Sequence, residues 1–285
     1  MHEEIDKNKI KKALYIVSTP IGNLGDITLR SLDVLKISDY ILCEDTRVAQ
    51  KLLNHFNIKS RLISYHKFNE KKNVNHILKL LSSGNVISLI SDSGTPLISD
   101  PGKILVENCI KNNIEVVPIP GPSSVIAALS ICGFSNNFYF HGFLANKENE
   151  IKKDFSSLSN ISSTLIFFIS AKKFNKVIEH IKNFFPNRKI VICKEITKFY
   201  EEFIRTETNN LSKIKLNLKG EITVVISEEK ISKKNSNLIS ESDKIIINKL
   251  INKISVKDIS EIMSLNNKKS KSIIYNYCIK LKNNV

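Results

Sequence analysis

Apolar residues along this chain follow two rhythms. Short uninterrupted runs, bounded by Ser, Thr, Pro, Gly or Asp, read as strands buried on both faces. Longer stretches with apolar positions three and four apart read as amphipathic helices. The runs predict strands at Leu14–Val17, Tyr40–Cys43, Leu62–Ser64, Val86–Ile90 and Glu115–Pro118. Helices predicted at Ile27–Leu35, Val48–Phe56, Val74–Leu81 and Ile104–Asn112 alternate with them, with Asp26 as the first N-cap. Such alternation predicts βαβ units and a largely parallel sheet. After Pro118-Ile-Pro-Gly-Pro the order loosens. A helix at Ser124–Ile131 is followed by strands at Phe138–Phe143, Thr164–Ile169, Lys189–Lys194 and Glu221–Ser227, with a long helix at Phe174–Phe184. This predicts a second α/β unit with a mixed sheet.

The expected organisation is therefore an α/β domain over 13–119, a second over 120–229, a polar linker at 230–241, and a helical appendix at 242–285. In the appendix, Ser255 (with Asp258 at N3) and Ser270 predict the caps of two short helices around a loop at Leu265–Lys269.

Charge changes this picture at one end. The 285 residues carry a formal charge of +15. From Lys230 onward 12 lysines face 4 acids, whereas the preceding 229 residues hold 31 basic and 24 acidic groups. Coding drift towards lysine would spread evenly, so the excess in the tail predicts a polyanionic partner. The cysteines, 5 in all, are scattered without CxxC spacing, which points away from disulfides and structural metal and towards a reducing, cytoplasmic setting. No apolar run approaches the roughly 18 residues of a spanning helix. The start, MHEEIDKNKIKK, lacks the apolar segment of a secretory signal.

Candidate chemistry gathers in loops at strand ends. Ile90-Ser-Asp-Ser-Gly-Thr-Pro-Leu-Ile-Ser-Asp-Pro-Gly102 follows a buried strand and precedes a helix, the position at which ligands bind in open α/β sheets. Its glycines allow close backbone approach and its prolines stiffen the loop. Ser18–Gly25 has two glycines but neither GxGxxG nor GxxxxGK[ST] spacing, so no phosphate cradle is indicated. Cys43-Glu-Asp-Thr-Arg47 sets two carboxylates and an arginine past a strand, and Pro120-Gly-Pro-Ser-Ser124 opens a helix.

Together these segments resemble the tetrapyrrole methylase superfamily, S-adenosylmethionine enzymes with two α/β domains. Within it they are most similar to the type that 2′-O-methylates a cytidine ribose in 16S ribosomal RNA. The carrying residues are TPIGNLGDIT (19–28), EDTR (44–47), SDSGTPLISDPG (91–102), PIPGPSS (118–124), GF (142–143), KEITK (194–198) and KGE (219–221). The resemblance implies that the cofactor lies in a cleft between the domains. Asp92, Gly94, Thr95, Pro96, Leu97, Ile98 and Ser99 would wrap it, with Pro20 nearby, Gly121 and Ser123 facing it, and Phe168 near the adenosyl part. It also implies a homodimer acting on the small ribosomal subunit. Three places depart from the pattern: Phe168-Ile169 stands for a usual tyrosine-glutamate pair, Lys172-Lys173 for His-Arg, and His141 for a glutamate.

A ribose hydroxyl is a poor nucleophile until it loses its proton, so a positioned base is expected. Candidates are Asp26, Glu44, Asp45, His66, Asp100 and Glu195, of which Asp26 and Asp100 are equally placed as helix caps, Glu44 and Asp45 read equally as a structural ion pair with Arg47, and Glu195 as a partner of Lys194. Asp45 and His66 are favoured, the imidazole being suited to proton transfer near neutrality. Arg47, Lys194, Lys268, Lys269 and Lys271 are expected on RNA phosphate. The other readings are a methylase of a small tetrapyrrole and a non-catalytic nucleic-acid-binding protein.

Overall fold

The computed structural model describes residues 10–213, 221–229, 239, 241–251, 253–267 and 270–283. It divides into two compact units between Glu228 and Glu229, the first holding both sheets. The fold of the first unit is α/β.

The first sheet has five strands in the order β3-β2-β4-β1-β5, all parallel. These are β1 (Leu14–Val17), β2 (Tyr40–Cys43), β3 (Arg61–Ser64), β4 (Ile87–Leu89) and β5 (Val116–Ile119). They are joined by α1 (Leu29–Ile37), α2 (Thr46–His55), α3 (Glu70–Ser82) and α4 (Lys103–Lys111). Alternate side chains go to opposite faces, as the pleat requires. Ile41 and Cys43 pack with Val34 and Leu53 of α1 and α2, while Leu42 packs with Ile77 and Leu105 of α3 and α4. Both faces are thus covered, which explains the unbroken apolar runs. The N-cap of α1 is Thr28, whose hydroxyl accepts from Ser31 N–H, not Asp26 as the sequence predicts. Asp26 ends a short 3₁₀ turn, Leu24–Asp26, which moves the helix start towards the C-terminus.

α5 (Ser124–Cys132) leads to the second sheet, order β6-β7-β10-β8-β9. Here β6 (Phe138–Phe143) and β7 (Thr164–Ser170) run parallel, while β8 (Lys189–Lys194), β9 (Glu202–Glu207) and β10 (Glu221–Ile226) make the remaining, antiparallel pairings. Leu165, Phe167 and Ile169 of β7 face α6 (Glu148–Ser159) and α7 (Ala171–Phe184). Ile166 and Phe168 face the opposite side, where Val125 and Ala128 of α5 pack.

The apolar pattern does not predict α6 or β9. α6 carries only Ile151, Phe155 and Leu158 on its buried stripe among polar residues. Among the described residues β9 is an edge strand paired with β8 alone, so little of it needs to be apolar.

Among the described residues the second unit holds three helices, α8 (Glu241–Leu250), α9 (Val256–Asn267) and α10 (Lys271–Asn283), around Ile247, Ile259, Met263, Ile274 and Cys278. Ser255 caps α9 as predicted: its hydroxyl accepts from Asp258 N–H at 3.1 Å and donates to the Asp258 carboxylate at 2.6 Å. The sequence pattern does not reveal α8, and it ends α9 too early, at Leu265. Most of the expected linker lies outside the described residues, and its last position, Glu241, begins α8. All five cysteines are buried, and burial pushes the thiols of Cys43 and Cys193 up to about 12 and that of Cys109 to about 11. Among the described residues, no helix is long and apolar enough to cross a membrane.

Candidate active site

Because every strand of the first sheet runs the same way, the loops after β1, β2, β3, β4 and β5 emerge at one edge. Two of them are stitched together. Thr19 N–H donates to Gly94 O at 2.9 Å and Gly94 N–H returns to Thr19 O at 3.1 Å. Ser18 and Thr95 hydroxyls meet at 3.0 Å, and the Thr95 hydroxyl also donates to Pro122 O at 3.1 Å, which ties in the loop after β5.

The loop after β4 turns sharply. Gly94 lies at φ +83°, and Leu97 and Ser99 hold φ of 69° and 73° without being glycine. Non-glycine residues adopt that region only where surroundings enforce it. The enforcement is visible at the end of the loop, where the Glu70 carboxylate of α3 accepts from Gly102 N–H at 3.1 Å and Ile104 N–H at 2.9 Å. The Glu70 carboxylate therefore satisfies two N–H groups at the N-terminus of α4.

This loop borders a cavity of about 480 Å³, within the range of small-molecule sites. Asp92, Gly94, Thr95, Ile98 and Ser99 line one side, with Ser123 and Val125 at the start of α5. The opposite wall is a row running across the second sheet. Phe143, Phe168, Thr223 and Cys193 are successive partners from β6 through β7 and β10 to β8, and all four line the cavity.

The electrostatics run against the protein's overall charge. Glu44, Asp92, Asp100 and Glu195 line the cavity; among the described residues a single lysine, Lys198, joins them and itself pairs with Glu195 at 3.2 Å. Burial raises the Glu44 pKa, and Asp100 and Asp92 raise it further. A cavity that crowds carboxylates is complementary to a cationic ligand, and the Phe143–Phe168 pair, tilted at 59° with 5.2 Å between ring centroids, offers an apolar aromatic surface.

The expected site residues divide. Asp92, Gly94, Thr95, Ile98, Ser99, Ser123 and Phe168 line the cavity. Pro20 borders a neighbouring cavity of about 380 Å³ instead, with Val48, Leu52 and Asp92. Gly121 packs against Ser18, and Leu97 fills space below Gly102. Pro96 is absent from the lining.

Asp45 stands outside the cavity as the N-cap of α2. It accepts from Arg47 N–H and binds the Arg47 guanidinium at 3.0 and 2.6 Å, which holds its carboxyl down at about 2. His66 follows β3, where its Nδ1 accepts from Phe68 N–H at 3.3 Å. Lys194 pairs with Glu202 at 3.3 Å and Lys271 with Glu261 at 2.9 Å, while Lys268 and Lys269 lie outside the described residues.

Two of the departures from the resemblance lie away from the cavity lining. His141 sits 3.4 Å from Asp154 of α6, and Lys172 and Lys173 border a separate hollow with Asn146 and His180. Sequence reasoning missed Phe143, Cys193, Ile196 and Thr223. Only strand register, which no local pattern carries, brings the row together.

Comparison with known proteins fits this architecture. Relatives include the ribosomal RNA small subunit methyltransferase I of Mesomycoplasma conjunctivae, 47% identical over 79% of this chain and 95% of that protein. The protein of the same name from Rickettsia prowazekii is 46% identical over 76% of this chain and 79% of its own length. The crystal structure of uroporphyrin-III-C-methyltransferase from Thermus thermophilus shares the fold at a TM-score of 0.55 and 17% identity, covering 75% of this chain and 93% of that one. The cobalt precorrin-4 methyltransferase structure does so at 0.58 and 17%, covering 76% and 95%. Residues 13–212 match the family described as Tetrapyrrole (Corrin/Porphyrin) Methylases, and with that match this chain belongs to the tetrapyrrole methylase family.

Proposed function

We propose that this protein transfers a methyl group from S-adenosylmethionine to the ribose 2′-oxygen of a cytidine in 16S ribosomal RNA. Similarity to the small-subunit methyltransferases, at 47% identity over nearly the whole of one of them, is the observation that carries the reading. The cavity is consistent with the cofactor. Its carboxylates suit a sulfonium and an ammonium group, its left-handed loop brings backbone close, and its phenylalanines suit an adenine. The bound cofactor supplies a methyl group already activated for transfer.

The chain's own residues then place and deprotonate the acceptor. Methyl transfer forms a C–O bond, breaks a C–S bond and releases the hydroxyl proton. Of the carboxylates considered, Glu44 best suits that proton: it lines the cavity and its pKa is raised towards neutrality. Asp45, held well below the usual range, is a weak base and serves by capping α2 and fixing Arg47. Arg47 lies on the exposed side of that pair, where it can meet RNA phosphate. His66 is kept as a contact on the acceptor side. The basic helical unit adds electrostatic grip on RNA, and a homodimer in the cytoplasm completes the reading.

The test is to incubate the purified protein with methyl-labelled S-adenosylmethionine and small ribosomal subunits, then digest the RNA. Label in 2′-O-methylcytidine is expected. Label on a base, or transfer to a tetrapyrrole in place of RNA, overturns the reading.

A further inference from the structure

Beyond β8 the chain makes a tight turn whose tip holds two bare aromatic rings. Phe199 is 93% exposed and Tyr200 73%, and the rings stand edge-to-face at 5.0 Å. The turn beneath them is firmly built. Glu195 and Thr197 both hold left-handed φ, at 51° and 66°. Thr197 N–H donates to the Glu201 carboxylate at 2.6 Å, Lys198 N–H to Glu195 O at 2.9 Å, and Glu201 N–H to Lys198 O at 3.1 Å.

The turn is also seated on the first sheet's loops. Asn23 N–H donates to the Thr197 hydroxyl at 3.1 Å, and a Cβ on Gly22 would lie 2.5 Å from Lys198 Cγ. Lys198 borders both the main cavity and its neighbour around Pro20. The two rings therefore follow directly upon a residue of the cavity wall.

Three features select the occupant. The rings are flat and stand exposed on a hydrogen-bonded turn, which suits stacking and not a deep pocket. The turn carries Lys194 and Lys198 against Glu195, Glu201 and Glu202, so it does not attract phosphate. Charged neighbours on both sides also break the apolar continuity that a subunit interface needs at its centre. Unpaired nucleobases meet these conditions, because every base has a π-face on which an exposed aromatic ring can stack.

We propose that Phe199 and Tyr200 form a stacking platform for unpaired bases flanking the acceptor nucleotide. This rests on RNA being the substrate. The platform holds RNA in place and takes no part in methyl transfer.

The chain contains no tryptophan, so Phe199→Trp places a single reporter on the platform. Titration with a short single-stranded RNA containing cytidine is expected to quench its emission. Phe199→Ala, Tyr200→Ala and the double variant are assayed on small ribosomal subunits with wild-type protein alongside. Removing each ring is expected to raise KM about tenfold, with kcat and cofactor affinity unchanged. The rise should be the same at low and high salt, unlike that caused by removing a lysine from a phosphate. Unquenched emission at saturating RNA, or a double variant with wild-type KM, overturns the platform. A double variant that loses mass in light scattering while binding RNA normally assigns the rings to self-association and overturns it too. Should wild-type protein methylate no RNA, the functional reading itself falls and takes the platform with it; active wild type beside unaffected variants removes the platform alone.

Discussion

Both sheets of the first unit have five strands, yet they serve the cavity in different ways. The parallel sheet sends the ends of all its strands to one edge and contributes loops: backbone in left-handed conformations, hydroxyls and carboxylates. The mixed sheet scatters its ends and contributes a face, the row Phe143, Phe168, Thr223 and Cys193, together with the one turn that holds Lys198. Strand direction thus decides whether a sheet offers a ligand its loops or its side chains. Loop contacts are polar and depend on geometry, while face contacts are apolar and graded.

That contrast can be broken at its strongest point, Gly94. Valine there would be β-branched at φ +83° with its Cβ 3.3 Å from the Ile21 side chain. Cofactor affinity should fall at least about 100-fold, roughly 3 kcal/mol, by calorimetry. Unchanged affinity would remove the loop from the cofactor site.

Glu44→Gln comes next. Turnover should fall about 10²- to 10⁴-fold, and the acid limb of the rate profile should vanish with it. A second readout concerns stability. Because the folded-state pKa of Glu44 is raised, the native protein binds this proton more tightly than the unfolded chain does. The stabilisation it brings is complete below the unfolded pKa and is lost as pH rises through the folded one. The glutamine variant should therefore melt higher than wild type at pH 8, and the gap should close on acidification. A wild-type profile in the variant excludes Glu44 as the base.

Phe168→Ala probes the opposing face. A cost of about 2–3 kcal/mol in stability and a roughly tenfold drop in cofactor affinity are expected, smaller than for Gly94 because apolar contact is spread over several side chains. An equal or larger drop would reverse the ranking of the two walls.

The smallest effect on chemistry should follow removal of the helical unit. Since α8 begins at Glu241, the cut belongs at Glu228, where the two units divide. Cofactor binding should be intact and RNA binding weaker, with the log–log salt slope lower by about 0.7–0.9 for each phosphate that the unit neutralises. A full salt slope in a truncated protein that has become monomeric would assign the unit to assembly.

The same division governs what the sequence discloses. Loops of a parallel sheet are contiguous in sequence and rich in Gly, Pro and Asp, so Asp92 to Ser99 can be read directly. Strands such as Tyr40–Cys43 are legible because both faces are buried and the apolar run is unbroken. The row from Phe143 to Cys193 draws one residue from each of four strands, and nothing near any of them marks its neighbours. At Asp45 the sequence offers both a base and an ion pair with Arg47, and the structure adds that this pair closes on itself at a helix start. β9 and α6 escape because an edge strand and a helix with one narrow stripe bury too little to imprint a pattern.

The buried cysteines have a further consequence. They are spread over the layers: Cys43 on one face of the parallel sheet, Cys109 on the other, Cys132 and Cys193 on the inner face of the mixed sheet, and Cys278 inside the helical unit. Each sulfur is shielded from reagents in solution, so none reacts readily while its layer is closed. Under native conditions each becomes a clock for local opening, since alkylation proceeds only during excursions that expose that sulfur. Cys193 differs from the rest because it also lines the cavity, so its clock should slow when a ligand fills that space and leave the other four running as before.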